Sequence, residues 1–217
     1  MRRPLLLLLL TALAGVVAAP AAQAQTGVDP KDVGGLYLGR AHAGNALSVV
    51  TRQSFIYGLC RPRPGEDAGC EFPLQLRRLS SCERNPLEDG GAPREPASHR
   101  SVVRGAIVAT YPGQAAVEIS TGTETIQVFT TPRTSVRRIV DSLRPVAGPW
   151  RLDRDLPRPV LPTAVLRSVA DVRSARRRTG SVAATARRLR LTRAEVTDRL
   201  GLGRRLAALG GARGTRC

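Results

Sequence analysis

The chain has 217 residues, 34 basic side chains against 17 acidic ones, and a formal net charge of +17. That length holds one domain or two small ones, and aromatics at 3% leave Leu, Val, Ala and Ile to build any core. Lys31 is the one lysine, and this arginine bias beside abundant Ala and Gly matches a GC-rich genome, so the charge by itself assigns no acidic partner.

Residues 1–24 read as a secretory signal peptide. Arg2 and Arg3 supply the positive n-region, Leu5 to Leu13 the apolar h-region, and Ala22-Gln23-Ala24 the small residues a signal peptidase reads. Cleavage is expected after Ala24. The apolar stretch is short for a membrane span, which leaves an uncleaved N-terminal anchor as the alternative. Either way the rest of the chain is expected outside the cytoplasm, secreted or at the cell envelope. Residues 25–34 read as a flexible arm.

Residues 35–148 read as a β-rich domain. Strands are expected at Leu36 to Leu38, Leu47 to Thr51 and Ser54 to Leu59, with turns between them. The last run ends at Cys60; a Pro/Gly/acid loop follows to Cys70, and a second alternating run (Leu74, Leu76, Leu79) ends near Cys82. This is the pattern of a hairpin stapled by Cys60–Cys70, a loop whose closure contributes about 2–3 kcal/mol. Four cysteines allow three pairings; Cys82 is left open, and Cys217 is expected to be free or intermolecular. Zinc sites need close ligand pairs such as C-x2-C, and spacings of nine and eleven residues do not supply them. Asn85 to Ser98 reads as a surface loop or lid. Strands are expected again over Ser101 to Thr110, Ala115 to Ser120 and Thr123 to Thr130, with a tight turn at Thr121-Gly122. A helix then places Ile139, Val140 and Leu143 on one face before Pro145. Such hairpin spacing favours an antiparallel sheet.

Residues 149–162 read as a Pro-rich linker or extended strap. Residues 151–217 carry 17 Arg against five acids and no aromatic residue, so the character of the chain changes here. Residues 163–210 read as an all-α, basic three-helix unit, and 211–217 as a disordered tail. The expected fold class is thus α+β: an antiparallel β-rich domain with one packed helix, then a small helical unit. Gly180 is expected to stop the first helix of that unit and Ser181 to cap the second. Thr192 with Glu195 forms a capping box for the third, with Val196, Leu200 and Leu206 on its inner face.

The stretch SVAATARRLRLTRAEVTDRL, with small Ala186, Leu189 and Leu191 flanking a turn and a capped following helix, resembles a helix-turn-helix module. The resemblance covers about twenty residues, and Arg190 stands at the turn where many such modules carry Gly. It implies groove or phosphate contacts from Thr192, Arg193, Thr197 and Arg199, with Arg187 and Arg188 neutralising further phosphates. The leader together with Tyr57-Gly58-Leu59-Cys60, Gly69-Cys70 and Pro73-Leu74 is also similar to a family of exported actinobacterial proteins with a YG-x-C…GC…PL block. That resemblance implies a compartment and no activity.

Catalytic signatures are missing: there is no G-x-S-x-G elbow, no H-E-x-x-H helix and no phosphate loop ending in Lys. His99 reads as a solvated surface residue, and the carboxylate pairs Glu66-Asp67, Glu88-Asp89 and Asp153/Asp155 as loop charges. The leading expectation is therefore a non-enzymatic extracytoplasmic protein without cofactor or metal. Its cations would meet an anionic envelope polymer, lipid headgroups or an acidic protein. A DNA-binding protein using 181–200 is the runner-up, and a hydrolase with a site assembled from distant residues is the third reading. The lack of aromatics in the last segment argues against single-strand binding by base stacking.

Overall fold

The computed structural model describes residues 36–38, 47–51, 53–58, 61–62, 70–71, 74–114, 116–130, 136–145 and 156–217. The signal peptide, the N-terminal arm and Cys60 lie outside the described residues, and with Cys60 the expected Cys60–Cys70 pairing. Among the described residues no helix is long and apolar enough to cross a membrane.

The elements in chain order begin with β1 (Leu36–Leu38), β2 (Leu47–Val50), β3 (Ser54–Tyr57), β4 (Arg61–Pro62), β5 (Cys70–Glu71) and β6 (Leu74–Ser80). Then come β7 (Glu88–Asp89), β8 (Ala92–Pro93), β9 (His99–Val103), β10 (Ala106–Thr110), β11 (Ala116–Thr121) and β12 (Glu124–Thr130). A short helix α1 (Val136–Ser142) leads into β13 (Leu143–Pro145). The C-terminal part holds β14 (Val160–Pro162), α2 (Thr163–Thr179), α3 (Val182–Leu189), α4 (Arg193–Ala208) and β15 (Arg213–Thr215).

Seven strands form one antiparallel sheet in the order β2-β3-β6-β12-β11-β10-β9. It is two meanders joined where β6 pairs β12. The expected hairpin around the cysteine loop is present, with Tyr57 opposite Leu74 in β3–β6 and Pro62 opposite Cys70 in β4–β5. The run expected as one strand over 101–110 is two, because Arg104 and Gly105 both take positive φ (49° and 80°) and close a two-residue hairpin. The 85–98 loop contains the β7–β8 hairpin.

Strand side chains alternate between faces, and here both faces are covered. One carries Phe55, Leu76, Val128, Ile126, Ile119 and Val108, packed with Ile139, Val140 and Leu143 of α1 and β13 and with Leu156. Register aligns them across the strands: Val108 opposite Ile119, Ile119 opposite Ile126, Val128 opposite Leu76, Leu76 opposite Phe55. The other face presents Ile107 to Leu161, Val165, Val169, Leu202 and Leu206 of the C-terminal part.

The molecule is thus mixed α+β, as expected; residues 163–210 hold three helices, while the C-terminal part as a whole is not separate from the sheet. It contains the parallel pair β14–β15, and its core is completed by Ile107 of β10. Residues 156–162, expected within a linker or extended strap, form a strap on the sheet. Leu156 and Leu161 are buried, Leu156 N donates to Arg104 O at 2.5 Å, and Val160 N to Gly122 O at 2.6 Å. The expected disordered tail at 211–217 carries β15 and ends in a Cys82–Cys217 disulfide. Cys217 is therefore neither free nor intermolecular. The reason is geometric: β15 runs back beside β14 and returns the chain end to the turn that follows β6.

The helices follow their local signals. Gly180 closes α2 in the left-handed region, Ser181 Oγ accepts from Ala184 N, and Thr192 and Glu195 make the expected capping box. Arg190 adopts the left-handed turn (φ 54°) that Gly fills in many such modules, and Leu191 N donates to Ala186 O across it.

Candidate functional site

Two polar constructions stand on the sheet face turned toward the helices. The first begins with polar residues of the strands themselves. Arg100, Ala109, Glu118 and Gln127 lie in one cross-strand row, and Arg100, Glu118 and Gln127 are all buried. A buried carboxylate is tolerated only with partners, and the 81–98 excursion supplies them. Arg84 reaches Glu118 Oε1 at 2.5 Å, Arg94 donates to Oε2 at 2.7 Å and to Oε1 at 3.0 Å, and Gln127 Nε2 donates to Oε1 at 3.2 Å. Arg84 also pairs with Asp89, and the Arg94 guanidinium lies 3.6 Å above the Tyr111 ring centroid. Each cation here has its counter-charge, so the cluster is a closed structural network that pins the excursion to the sheet.

The second construction lies between β9 and α4. Arg100 Nε and Nη2 hold the two oxygens of Asp198 at 2.8 and 3.0 Å, with both side chains buried. Nη2 also donates to Pro86 O at 2.9 Å, and the remaining nitrogen, Nη1, to the Tyr111 hydroxyl at 3.4 Å. Burial works against the Arg100 charge, but the hydrogen bond and charge of Asp198 and the Tyr111 hydroxyl outweigh it and hold the guanidinium above its ordinary pKa. Burial likewise pushes the Tyr111 phenol up, against the pull of Arg100 and Arg94.

Above this pair runs a groove of about 450 Å³. Pro96 to His99 form one wall; Ala194, Thr197 and Gly201 form a low surface on α4; Arg193, Arg204 and Arg205 rise from the helix around it. All three arginines are exposed, and among the described residues none is ion-paired. Arg193, Thr197, Gly201 and Arg204 follow helical spacing and so share one stripe of α4.

The residues singled out in the sequence fall in three places. Arg193 and Thr197 line the groove. Arg187 and Arg188 are exposed at the end of α3, away from it. Thr192 and Arg199 are engaged locally. Thr192 Oγ1 accepts from Glu195 N at 3.1 Å, while Arg199 turns toward α2, where its Nε donates to Ser168 Oγ at 3.0 Å beside a 3.7 Å ion pair with Glu195. Backbone donation from Thr192 is the main reason the Glu195 carboxyl sits below its ordinary pKa; burial opposes this, and the Thr192 hydroxyl and Arg199 add to it.

Sequence reasoning missed Arg204, Arg205, His99, Arg100 and Asp198 as site residues. The spacing of Arg193, Thr197 and Arg204 was a readable signal for one shared helix stripe. Its pairing with β9 was not readable, since Arg100 and Asp198 are 98 residues apart.

No known family matches. The chain finds no match among protein-family models, curated proteins or solved structures. The geometry therefore carries the functional argument.

Proposed function

We propose that the mature chain is a non-catalytic protein of the cell exterior that attaches to anionic polymers or anionic membrane surfaces through the cations of its C-terminal helices. One observation carries this reading. Residues 156–217 hold fifteen arginines and three acids, and among the described residues only Arg199 of those fifteen is ion-paired within 4 Å. Of the three acids, Glu195 serves the α4 cap and Asp198 is held by Arg100 from the sheet. The field is therefore uncompensated and extends outward. Export is supported by the leader composition and by the Cys82–Cys217 disulfide, a bond that persists in oxidising compartments. Reading a DNA duplex, the runner-up, would use Arg193 and Thr197, which are exposed on α4 beside β9, but an exported chain does not meet the chromosome.

The test is sedimentation of the disulfide-intact protein with phosphatidylglycerol vesicles, with phosphatidylcholine vesicles as the neutral control. Binding is expected only to the anionic vesicles and should fade as salt rises. Arg187→Gln with Arg188→Gln should weaken it by about fivefold per charge, from roughly 1 kcal/mol each. Equal binding to both vesicle types, or none at low salt, refutes the reading. Sequencing the mature N-terminus tests export, with Gln25 expected first.

A further inference from the structure

We propose that the β9–α4 groove is a defined binding site for a phosphate group carried by a small molecule or a lipid head. The site deepens the anion-binding reading and rests on it, but it adds a place and a chemistry that a diffuse cationic surface lacks.

Three observations meet here. The first is shape: a space of about 450 Å³ falls in the range of small-molecule sites, too small for a polymer segment to be enclosed but sufficient for a phosphorylated headgroup. Its hollow comes from small residues. A Cβ on Gly201 would meet nothing closer than the Arg204 guanidinium at 3.9 Å, so the space above this glycine is open rather than filled by a packed neighbour. The second is charge. Asp198 is the one carboxylate lining the groove, and both its oxygens are taken by Arg100. The floor is neutral, and Arg193, Arg204 and Arg205 face the space without a counter-ion. The third is donor type. Guanidinium forks match phosphate oxygens two at a time, and three of them suit a dianion better than a single carboxylate. His99 stands in the opposite wall.

The buried Arg100–Asp198 pair has a second consequence. It fastens the wall at β9 to α4, so the three arginines stand at a set distance from Ser98 and His99 rather than on a free helix. Preorganisation of this kind lowers the ordering cost of binding.

The experiment is calorimetry on the full mature chain with its disulfide intact, using tripolyphosphate and, separately, phosphatidic acid in phosphatidylcholine vesicles, with acetate as the monovalent control. Arg193→Gln, Arg204→Gln and Arg205→Gln alter exposed side chains, so the variants should keep the parent melting temperature. Each is expected to weaken tripolyphosphate binding by about tenfold. Arg187→Gln with Arg188→Gln should leave it unchanged while still reducing attachment to phosphatidylglycerol vesicles. Tighter binding of tripolyphosphate than of phosphatidic acid assigns a soluble ligand, and the reverse order a lipid head. Equal losses from groove and α3 substitutions, or acetate bound as well as tripolyphosphate, would overturn the groove and leave the surface reading intact. A parent protein that binds none of these anions sinks both.

Discussion

Arg100 is the residue through which the two parts of the molecule are coupled. Its guanidinium serves Asp198, Pro86 O and Tyr111 at once, and neither it nor Asp198 reaches solvent to any extent. Buried ion pairs stabilise little in net terms compared with apolar packing, but removing one partner strands the other in a medium of low polarity. Asp198→Ala should therefore cost about 3–5 kcal/mol in urea unfolding. A loss below about 1 kcal/mol would place the pair with exposed bridges instead. Glu118 follows the same logic with two arginines and Gln127 as partners. Both carboxylates have their oxygens engaged by the surrounding cations.

Among the elements, α4 is the one whose construction bears directly on the site. Its start is set by local chemistry: Thr192 N donates to Glu195 Oε2 at 2.7 Å and Thr192 Oγ1 accepts from Glu195 N. Its middle is set by packing. Gly203 is buried where α4 meets α2, and a Cβ there would come within 3.0 Å of Val169 Cγ1 and 3.1 Å of Arg173 Cδ. The cap makes a pH prediction. Glu195 has a folded pKa below its unfolded one, so its ionised form stabilises the fold above the unfolded value, and that contribution disappears as pH falls through the folded value. The melting-temperature gap between the parent and Glu195→Gln should be widest near neutrality and close in acid, below the ordinary carboxylate range. A gap of constant size down to strong acid would mean that the carboxylate charge has no part in the cap.

For the whole molecule, the Cys82–Cys217 bond decides how far the C-terminal part can separate from the sheet. It spans 135 residues of sequence, and closing so long a loop removes unfolded-state entropy worth about 5 kcal/mol in the chain model, with less usually realised. Both cysteines are exposed, so reduction needs no prior unfolding. Cys82→Ser with Cys217→Ser should lower unfolding free energy by about 3–5 kcal/mol while Ile107 still packs on α2 and α4. Coincident denaturant curves for parent and variant would show that Ile107 and Arg100 hold the two parts together unaided.

What the residues determined by themselves is local. The strand runs at 54–57, 74–80 and 124–130, the Gly180 stop, the Ser181 cap and the Thr192–Glu195 box depend on side-chain period and on hydrogen bonds spanning three to five residues. Such features are written in consecutive positions and can be read there. The alternation of Glu118, Ser120, Thr125 and Gln127 equally marked one sheet face as polar, but period two states only that a face exists and not what covers it. The helices and the 81–98 excursion cover it, and its polar residues form a buried ion network. The groove, the Arg100–Asp198 bridge and the Cys82–Cys217 bond all join positions about a hundred residues apart. Only the docking of helices on the sheet brings them together, because that arrangement follows from the summed burial of Ile107, Leu161, Val169 and Leu206 rather than from any one local signal.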